Sequence, residues 1–516
     1  MDEGSERALR EGEIVRVTEK MFHNSFIGNL TRSNRQLLET QERAGTGKRI
    51  NRPSDDPVGM ARVLNFRASL DKINEFNQNI VRGDSLLALT ESSLESVGNL
   101  LDRTKQIALA QANATLSGAD RMAAAEEVET LFDQLIQIGN ATLNGRYIFG
   151  GFKSGVPPFS AQGSYQGDGG SAAVQVDAGI EVPLNIRGSD FLATDLDPAV
   201  EGATLLTDLN GGGGVAAGSF QMTDRAGNVA IIDLTGLTMV QEVLDAINAA
   251  PGINVTASLN PEGTGLLLSD DTPAPTQDLK VEEVGGGRSA LDLGILANRP
   301  GEISGTDLNP AVSRSTSISA LRGGAGFSLG SIEVVNGTQG ATLDLSGAQT
   351  IGEVLDLLDQ AGLNLSAGLN PARTALVVTS TDLTTTAVVK EVNTGTTAAD
   401  LGLGGGNDIL GTLGRLTEAL RRNDREAIGN LLDQIEDGLD RTLALRTRVG
   451  VRQNQLQETN QRLEGLEMDL TTFLSGVEDA DVIEVYSRLS LQKNALEGLV
   501  AATSQVTRTS LLDFLR

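Results

Sequence analysis

The residues that could support catalysis or metal binding are few and isolated in this chain. Asp55 and Asp56 are adjacent, as carboxylates of a divalent-cation site can be, but three basic residues precede them and no further ligand cluster follows. A helix start explains the pair more simply, because Asp56 suits the N-cap and Pro57 the first helical position. We therefore predict capping and local ion pairs here, and no metal site.

Other chemical signatures are also missing from the sequence. His23 is the single histidine and cysteine is absent, which argues against zinc sites, thiol catalysis and histidine-based acid–base catalysis. The glycine-rich residues 45–48 (GTGK) and 211–214 (GGGG) lack the Gly-Lys-Ser/Thr that completes a phosphate-binding loop. The prediction is a protein that is not an enzyme and uses no cofactor.

Charge and hydropathy narrow the class of partner. The 516 residues carry a formal net charge of −27, and a negative surface repels the phosphates of nucleic acids. No apolar run reaches the ~18 residues that a membrane-spanning helix needs. The first twenty residues are charged throughout and lack the apolar core of a cleavable signal peptide. We expect neither nucleic-acid binding nor membrane insertion.

The C-terminal stretch, residues 479–516, has the pattern of an amphipathic helix. Its apolar residues recur on one side of a helix, partly at intervals of seven. Such a helix needs a partner helix to cover its apolar side. The candidate contact residues are Val482, Val485, Leu489, Leu496, Leu499 and Val506.

A candidate partner lies at the other end of the chain, in residues 22–44. This stretch is also amphipathic and ends at Gly45, with Phe26, Leu30 and Leu37 on its apolar side. Two interpretations stay open at this point. The two segments are core helices of one globular domain, or they form a coiled-coil arm that also pairs between chains.

Proline and glycine separate two flanks from a central region. Of the 13 prolines, 11 lie between residues 157 and 371, and both residue types disfavour helix interiors. We therefore predict long helices in the flanks, at residues 58–116, 119–143, 409–422 and 424–475. Gly476 is expected to end the last of them. The centre predicts strands and turns. The fold class is α+β and multidomain: a long helical bundle or coiled coil from both termini, with a central β-rich insert.

The insert contains an internal repeat. Residues 233–245 (DLTGLTMVQEVLD) match residues 344–356 (DLSGAQTIGEVLD), and the LNP of 259–261 returns at 369–371. An offset that stays near 110 residues indicates a duplicated unit. We predict two α+β modules, at residues 200–296 and 314–406, each with a strand, a short helix and two further strands.

Several of these segments together resemble the hook-associated branch of the bacterial flagellin family. The resemblance rests on residues 47–57 (GKRINRPSDDP) with the helix that follows, on 147–151 (YIFGG) and on 510–515 (SLLDFL). It covers both helical flanks, about half of the chain. The insert resembles the flagellin-hook motif at 245–250 (DAINAA) and 255–259 (VTASL), although the second copy has Leu358 and Asp359 where Ile-Asn would stand.

The resemblance implies an axial, structural protein of the flagellum, placed between hook and filament. It further implies self-association in a ring, contacts with the other hook–filament junction protein and with flagellin, and an export chaperone. Localisation would be extracellular, after type III export without a cleaved signal peptide. A flagellin-type filament subunit is the near alternative, and a cytoplasmic coiled-coil scaffold is the more distant one.

The resemblance and the composition together give a domain map. Residues 15–18 (VRVT) resemble the opening of family members, which predicts a native start at Val15. The predicted parts are a disordered extension at 1–20, a terminal coiled-coil helix and loop at 21–57, a helical rod at 58–152, a β-rich connector at 153–199, the modules at 200–296 and 314–406, the second half of the rod at 407–476, and a terminal coiled-coil helix at 477–516.

Overall fold

A computed structural model describes the backbone of residues 4–514 and the side chains of residue 21 and residues 24–502. The predicted long helices of both flanks are present, with ends within a few residues of the expected ones. The helices are α1 (Gly4–Thr46), α2 (Pro57–Gln111), α3 (Gly118–Gly139), α4 (Val240–Asn248), α5 (Ser289–Asp292), α6 (Ile351–Asp359), α7 (Thr397–Asp400), α8 (Ile409–Arg421), α9 (Arg425–Glu478) and α10 (Val482–Phe514).

The strands lie between α3 and α7, in the region rich in proline and glycine. They are β1 (Thr142–Leu143), β2 (Arg146–Tyr147), β3 (Ala173–Asp177), β4 (Ile180–Pro183), β5 (Ser219–Thr223), β6 (Val229–Asp233), β7 (Val255–Leu259), β8 (Leu266–Asp270), β9 (Leu279–Glu283), β10 (Asn298–Arg299), β11 (Ile303–Ser304), β12 (Ser331–Asn336), β13 (Gln339–Asp344), β14 (Leu365–Leu369), β15 (Leu376–Ser380) and β16 (Ala387–Glu391). The α+β class with terminal helical regions is confirmed.

The chain divides into two compact units. The first contains residues 1–80, 176–178 and 457–516, and the second contains residues 81–175 and 179–456. In the first unit, Asp56 caps α2 as predicted: its Oδ1 accepts the backbone N–H of Gly59 at 2.9 Å, directly before the helix starts at Pro57.

Two expectations about helix ends are wrong. Helix α1 begins at Gly4, inside the predicted disordered extension, because residues 4–20 contain no proline and are rich in good helix formers. Helix α9 continues through Gly476 and ends at Glu478, since a single glycine costs a helix only about 1 kcal/mol. The side chain of Asp481 then starts α10 by accepting the N–H groups of Ile483 and Glu484.

The helices of the second unit share a core of leucine, isoleucine and valine. Helices α3 and α8 pack against each other, and Leu87, Leu94 and Leu101 of α2 are buried. Arg121 is buried as well, with 2% of its surface exposed. Its guanidinium donates to the carbonyl groups of Gln111, Leu116 and Asn113 and to Asn423 Oδ1, so it joins the end of α2 to the turn between α8 and α9.

The first repeat module forms two small antiparallel sheets around α4. Their strand orders are β10-β9-β5-β6 and β11-β8-β7. The core includes Phe220, Met222, Ile232 and Ile247. Strands β5 and β9 were not predicted, because short strands such as residues 219–223 (SFQMT) are only weakly apolar.

The second repeat module follows the same order of elements, with sheets β13-β12-β16 and β14-β15 around α6. Its core includes Ile332, Val334, Val354 and Val389. Strand β16 also lies against α9, where Gln434 Nε2 donates to the carbonyl of Val389 at 2.6 Å and Lys390 pairs with Asp433 at 3.3 Å. The modules therefore share an order of elements, and the first has two further strands, β10 and β11.

Candidate assembly surface of the terminal helices

Helices α1 and α10 pack against each other within the first unit. Their orientation is antiparallel, because α1 ends where α10 begins: the N–H of Ala480 donates to the carbonyl of Gly47 at 2.9 Å. On α10 the shielded side chains follow at intervals of three and four residues, which is the spacing of a coiled-coil contact line. They are Val485, which is 8% exposed, and the partly buried Leu489, Gln492, Leu496 and Leu499.

Helix α1 presents the same spacing on its side of the pair. Its shielded residues are the partly buried Phe26, Leu30, Ser33, Leu37 and Ala44, and the buried Thr40. Two heptads of alternating intervals therefore face α10. We call the shielded residues of both helices the seam.

Polar residues weaken this seam. The hydroxyl of Thr40 donates to the carbonyl of Gln36 at 2.8 Å, so its hydrogen bond is satisfied within α1. The Oε1 of Gln492 is buried and has no hydrogen-bond partner among the described residues. A buried polar atom without a partner costs on the order of 1–3 kcal/mol. The antiparallel pair is therefore less stable than a fully apolar seam of the same length.

The loop after α1 holds the start of α10 in place. Glu478, the last residue of α9, has only 4% of its surface exposed. Its Oε1 receives Lys48 Nζ at 2.5 Å and Arg67 Nη2 at 2.5 Å. Its backbone carbonyl accepts the N–H groups of Arg49 and Ile50. Side-chain and main-chain bonds thus converge on one residue, which we call the Glu478 clamp.

The two aspartates of the same loop act locally. The N–H groups of Arg52 and Asn51 donate to Asp55 Oδ2, and these hydrogen bonds lower the pKa of Asp55. The N–H of Gly59 likewise lowers the pKa of Asp56, which also pairs with Arg49 at 3.2 Å. Both carboxylates are thus engaged in ordering the loop. Across the residues that the structure describes, no group of three or more histidines, cysteines, aspartates or glutamates is arranged to hold a metal.

A second apolar surface of α10 lies beside the seam and is exposed. Val482, Ile483 and Tyr486 have 57%, 84% and 56% of their surfaces exposed, and Val500 has 55%. At 3.6 residues per turn, Val482, Tyr486 and Val500 fall on one side of the helix. We call these four residues the outer patch. Large exposed apolar groups on one helix are typical of an interaction surface.

The predicted contact residues divide between these two surfaces. Phe26, Leu30, Leu37, Val485, Leu489, Leu496 and Leu499 are in the seam of the single chain, whereas Val482 is in the outer patch. The side chain of Val506 lies outside the described residues. Ile483 was not among the predicted contact residues, because it stands off the heptad stripe. Ile483 is apolar and directly follows Val482 of the predicted stripe, and this sequence feature could have revealed it.

The second unit contains a polar cavity lined by charged side chains. It measures about 490 Å³ and is lined by three arginines and several aspartates, among them Arg187, Arg441, Asp195 and Asp197. Burial, followed by the charge of Asp197, raises the pKa of Asp195 to about 7. The N–H of Asp197 donates to Asp195 Oδ1 at 3.1 Å. The cavity therefore contains a carboxyl that titrates near neutral pH.

The flanks that carry the seam and the clamp match known sequence families. The family model of the bacterial flagellin N-terminal helical region matches residues 17–154, and that of the C-terminal helical region matches residues 432–515. Both flanks are thus similar to the helical regions of bacterial flagellins. No helix within the described residues has the length and apolarity to cross a membrane.

The predicted resemblance to the hook-associated branch of the flagellin family is confirmed by curated relatives named flagellar hook-associated protein 3. The protein from Escherichia coli K12 is 31% identical over 188 residues, and that from Salmonella typhimurium is 28% identical over the same length. Each match covers 36% of this chain and 59% of the relative. The chain thus spans about three-fifths of the length of these relatives.

A solved structure gives a weaker likeness. The crystal structure of flagellar hook associated protein-3 from Legionella pneumophila is 17% identical, covers 80% of this chain and 98% of its own, and superposes with a TM-score of 0.38. A likeness of this size does not decide the fold. The assignment therefore rests on the sequence matches of the two flanks.

Proposed function

We propose that this protein is a structural subunit of the bacterial flagellum at the junction between hook and filament. Two observations support the proposal: both flanks match flagellin helical regions, and curated relatives are named flagellar hook-associated protein 3. Subunits would self-associate in a ring and contact the other junction protein on one side and flagellin on the other. No catalytic step, cofactor or metal is part of the proposed role.

The outer patch is the observation that carries the proposed assembly. In the single chain the seam covers one side of α10, while Val482, Ile483 and Tyr486 stay exposed. Burying such side chains against a neighbouring copy gains roughly 25 cal/mol for each Å² of apolar surface. Antiparallel α1 and α10 would thus form the inner contact between subunits. The seam would hold the two helices of one chain together, and the outer patch beside it would contact the neighbouring copy.

Export would precede assembly. We propose that the chain leaves the cell through the flagellar type III channel without a cleaved signal peptide, accompanied before export by a chaperone. The absence of cysteine is compatible with this route, because no disulfide has to form or break on the way. The weakened seam supports it as well, since a marginal helix pair opens at low cost.

Deletion of the gene tests the proposal. A junction subunit is required for filament attachment, so its loss should leave hooks on the cells and flagellin in the medium. Loss of a filament subunit, the second candidate because the flank matches are to flagellin regions, would leave no flagellin to shed. Hooks that carry normal filaments after deletion would contradict the proposed role.

A further inference from the structure

The first repeat module has an exposed edge strand that differs from its counterpart in the second module. Strand β6 is the last strand of the sheet β10-β9-β5-β6, and within the described part of the chain it pairs only with β5. Val229 and Ile231 point away from the module core and have 53% and 62% of their surfaces exposed. We propose that β6 is a docking strand for β6 of a second copy of this chain. This proposal is independent of assembly by the terminal helices.

The main-chain geometry supplies the hydrogen-bonding groups. In an antiparallel pair, alternate residues direct their N–H and C=O groups to the same neighbour. Leu234 donates to the carbonyl of Gly218, and the carbonyl of Asn228 accepts from Asp224, so the even-numbered residues of β6 face β5. Val229 and Ile231 therefore direct their N–H and C=O groups to the free edge.

The internal repeat serves as a control within the chain. Strand β13 occupies the same edge of the second module, and β12 is its only strand partner among the residues that the structure describes. The repeat register, which aligns Asp233 with Asp344, sets Val229 against Gly340 and Ile231 against Thr342. Both β13 residues are exposed as well. The same architecture thus presents two branched apolar side chains in one module and none in the other.

Protection against strand addition is weak at β6. Exposed edges are usually blocked by charged residues, proline or a bulge. Residues 229–232 (VAII) include no charge and no proline, and the pairing of β6 with β5 is continuous over five residues. The first charge is Asp233, at the end of the strand. An edge of this composition favours pairing with another strand.

One antiparallel register suits a pair of identical strands best. If Val229 of one copy lies opposite Ile231 of the other, two pairs of apolar side chains meet on the outer face. Both residues of each pair direct their hydrogen-bonding groups across the interface, which gives four main-chain hydrogen bonds. Asp233 then lies beyond the apolar contact, opposite Gly227. The occupant is a second copy because this register is symmetric: Val229 of each strand meets Ile231 of the other, so two identical strands complement each other.

The absence of native cysteine permits a direct test by disulfide trapping in the full-length chain. Chains with Val229→Cys and chains with Ile231→Cys, distinguishable by mass, are mixed and mildly oxidised. Mixed dimers should form at least tenfold faster than dimers of Thr342→Cys, the matched position on β13. Ile231→Lys should weaken concentration-dependent association at least tenfold, and Thr342→Lys should not.

The outcomes separate the possible occupants. Equal trapping of Thr342→Cys would indicate random collision, and faster trapping between Ile231→Cys and Thr342→Cys would indicate that β6 binds β13; either result overturns the proposal. No trapping would overturn it too. Repeating the experiment with Tyr486→Asp, which disables the outer patch, should leave trapping unchanged. A failure of terminal-helix assembly is then distinguishable from a failure of strand docking.

Discussion

Lys48 and Glu478 join the two ends of the chain: Nζ of the lysine lies 2.5 Å from Oε1 of a carboxylate that is almost fully buried. More than 400 residues separate them in sequence. Because Arg67 contacts the same oxygen, one carboxylate positions the loop after α1, the start of α2 and the end of α9. The terminal helices therefore depend on a charge cluster as well as on their apolar seam.

Replacing that carboxylate should loosen the terminal helices. Glu478→Gln removes the negative charge that pairs with Lys48 and Arg67. Both cations are partly exposed and can be hydrated again, so we expect a loss of only about 1–2 kcal/mol in the free energy of unfolding of the first unit. Amide hydrogen exchange in residues 40–50 and 478–490 measures it. The control is Glu484→Gln, which breaks an exposed pair with Arg488 and should change stability by less than about 0.5 kcal/mol. Equal effects of the two variants would contradict the clamp.

A change at the weak point of the seam should have the opposite effect. Gln492→Leu removes a buried amide whose Oε1 has no described partner, and we expect a gain of about 1 kcal/mol in the stability of the α1–α10 pair. Slower amide exchange along residues 485–499 is the readout. Lys493→Leu is the matched control, because residue 493 is exposed. A Gln492→Leu variant that exchanges as fast as the unchanged protein would show that the seam does not limit the pair.

Arg121 should be the most sensitive charged position of the second unit. Arg121→Met removes four hydrogen bonds from a buried guanidinium, and the carbonyl groups it leaves behind lose their donors. We expect a loss of about 3 kcal/mol in urea unfolding. Arg103→Met, which breaks only the exposed pair with Glu127, should cost less than about 0.5 kcal/mol. Arg121→Met should therefore lose more stability than Arg103→Met. A larger loss for Arg103→Met would contradict the prediction.

The polar cavity should make the second unit more stable in mild acid. The folded-state pKa of Asp195 is about 7 and its ordinary value is 3.8, so the folded state binds a proton more tightly than the unfolded state. Asp197 adds to the shift, while Lys153 and Arg187 oppose it. This contribution therefore rises as the pH falls from about 8 towards 5 and is lost as the pH rises through 7.

Asp195→Asn should remove this pH dependence. An amide keeps an oxygen for the N–H of Asp197 and carries no charge, so the variant should be more stable by at most about 4 kcal/mol at pH 8 and by at most about 2 kcal/mol at pH 5, where the unfolded carboxyl is still ionised. Thermal unfolding from pH 5 to pH 8 measures both. Asp344→Asn, at an exposed site where hydrogen bonds from Ser346 lower the pKa, should keep the dependence between these pH values. An unchanged slope in Asp195→Asn would exclude this carboxyl as its source.

The sequence predicted those features that depend on neighbouring residues. The Asp56–Pro57 helix start and the long helices follow from local capping and periodicity. The duplicated modules followed from the repeat, while β5 and β9 did not, because they depend on pairing with distant strands. No sequence pattern indicated the Glu478 clamp, because its residues are far apart in the chain. An amphipathic stripe also cannot show whether its partner is in the same chain, so most predicted contact residues lie in the intrachain seam.

Assembly of subunits at the tip of the hook should depend on the outer patch of α10. Tyr486 and Ala495 are both exposed and, nine residues apart, lie on opposite sides of this helix. Cells lacking the native gene would express Tyr486→Asp or Ala495→Asp, and immunogold labelling of purified hooks would count the subunits incorporated. We predict that Ala495→Asp labels hook tips like the unchanged protein, whereas Tyr486→Asp is exported in equal amount with equal helicity and leaves the tips unlabelled. Normal labelling with Tyr486→Asp would contradict the account.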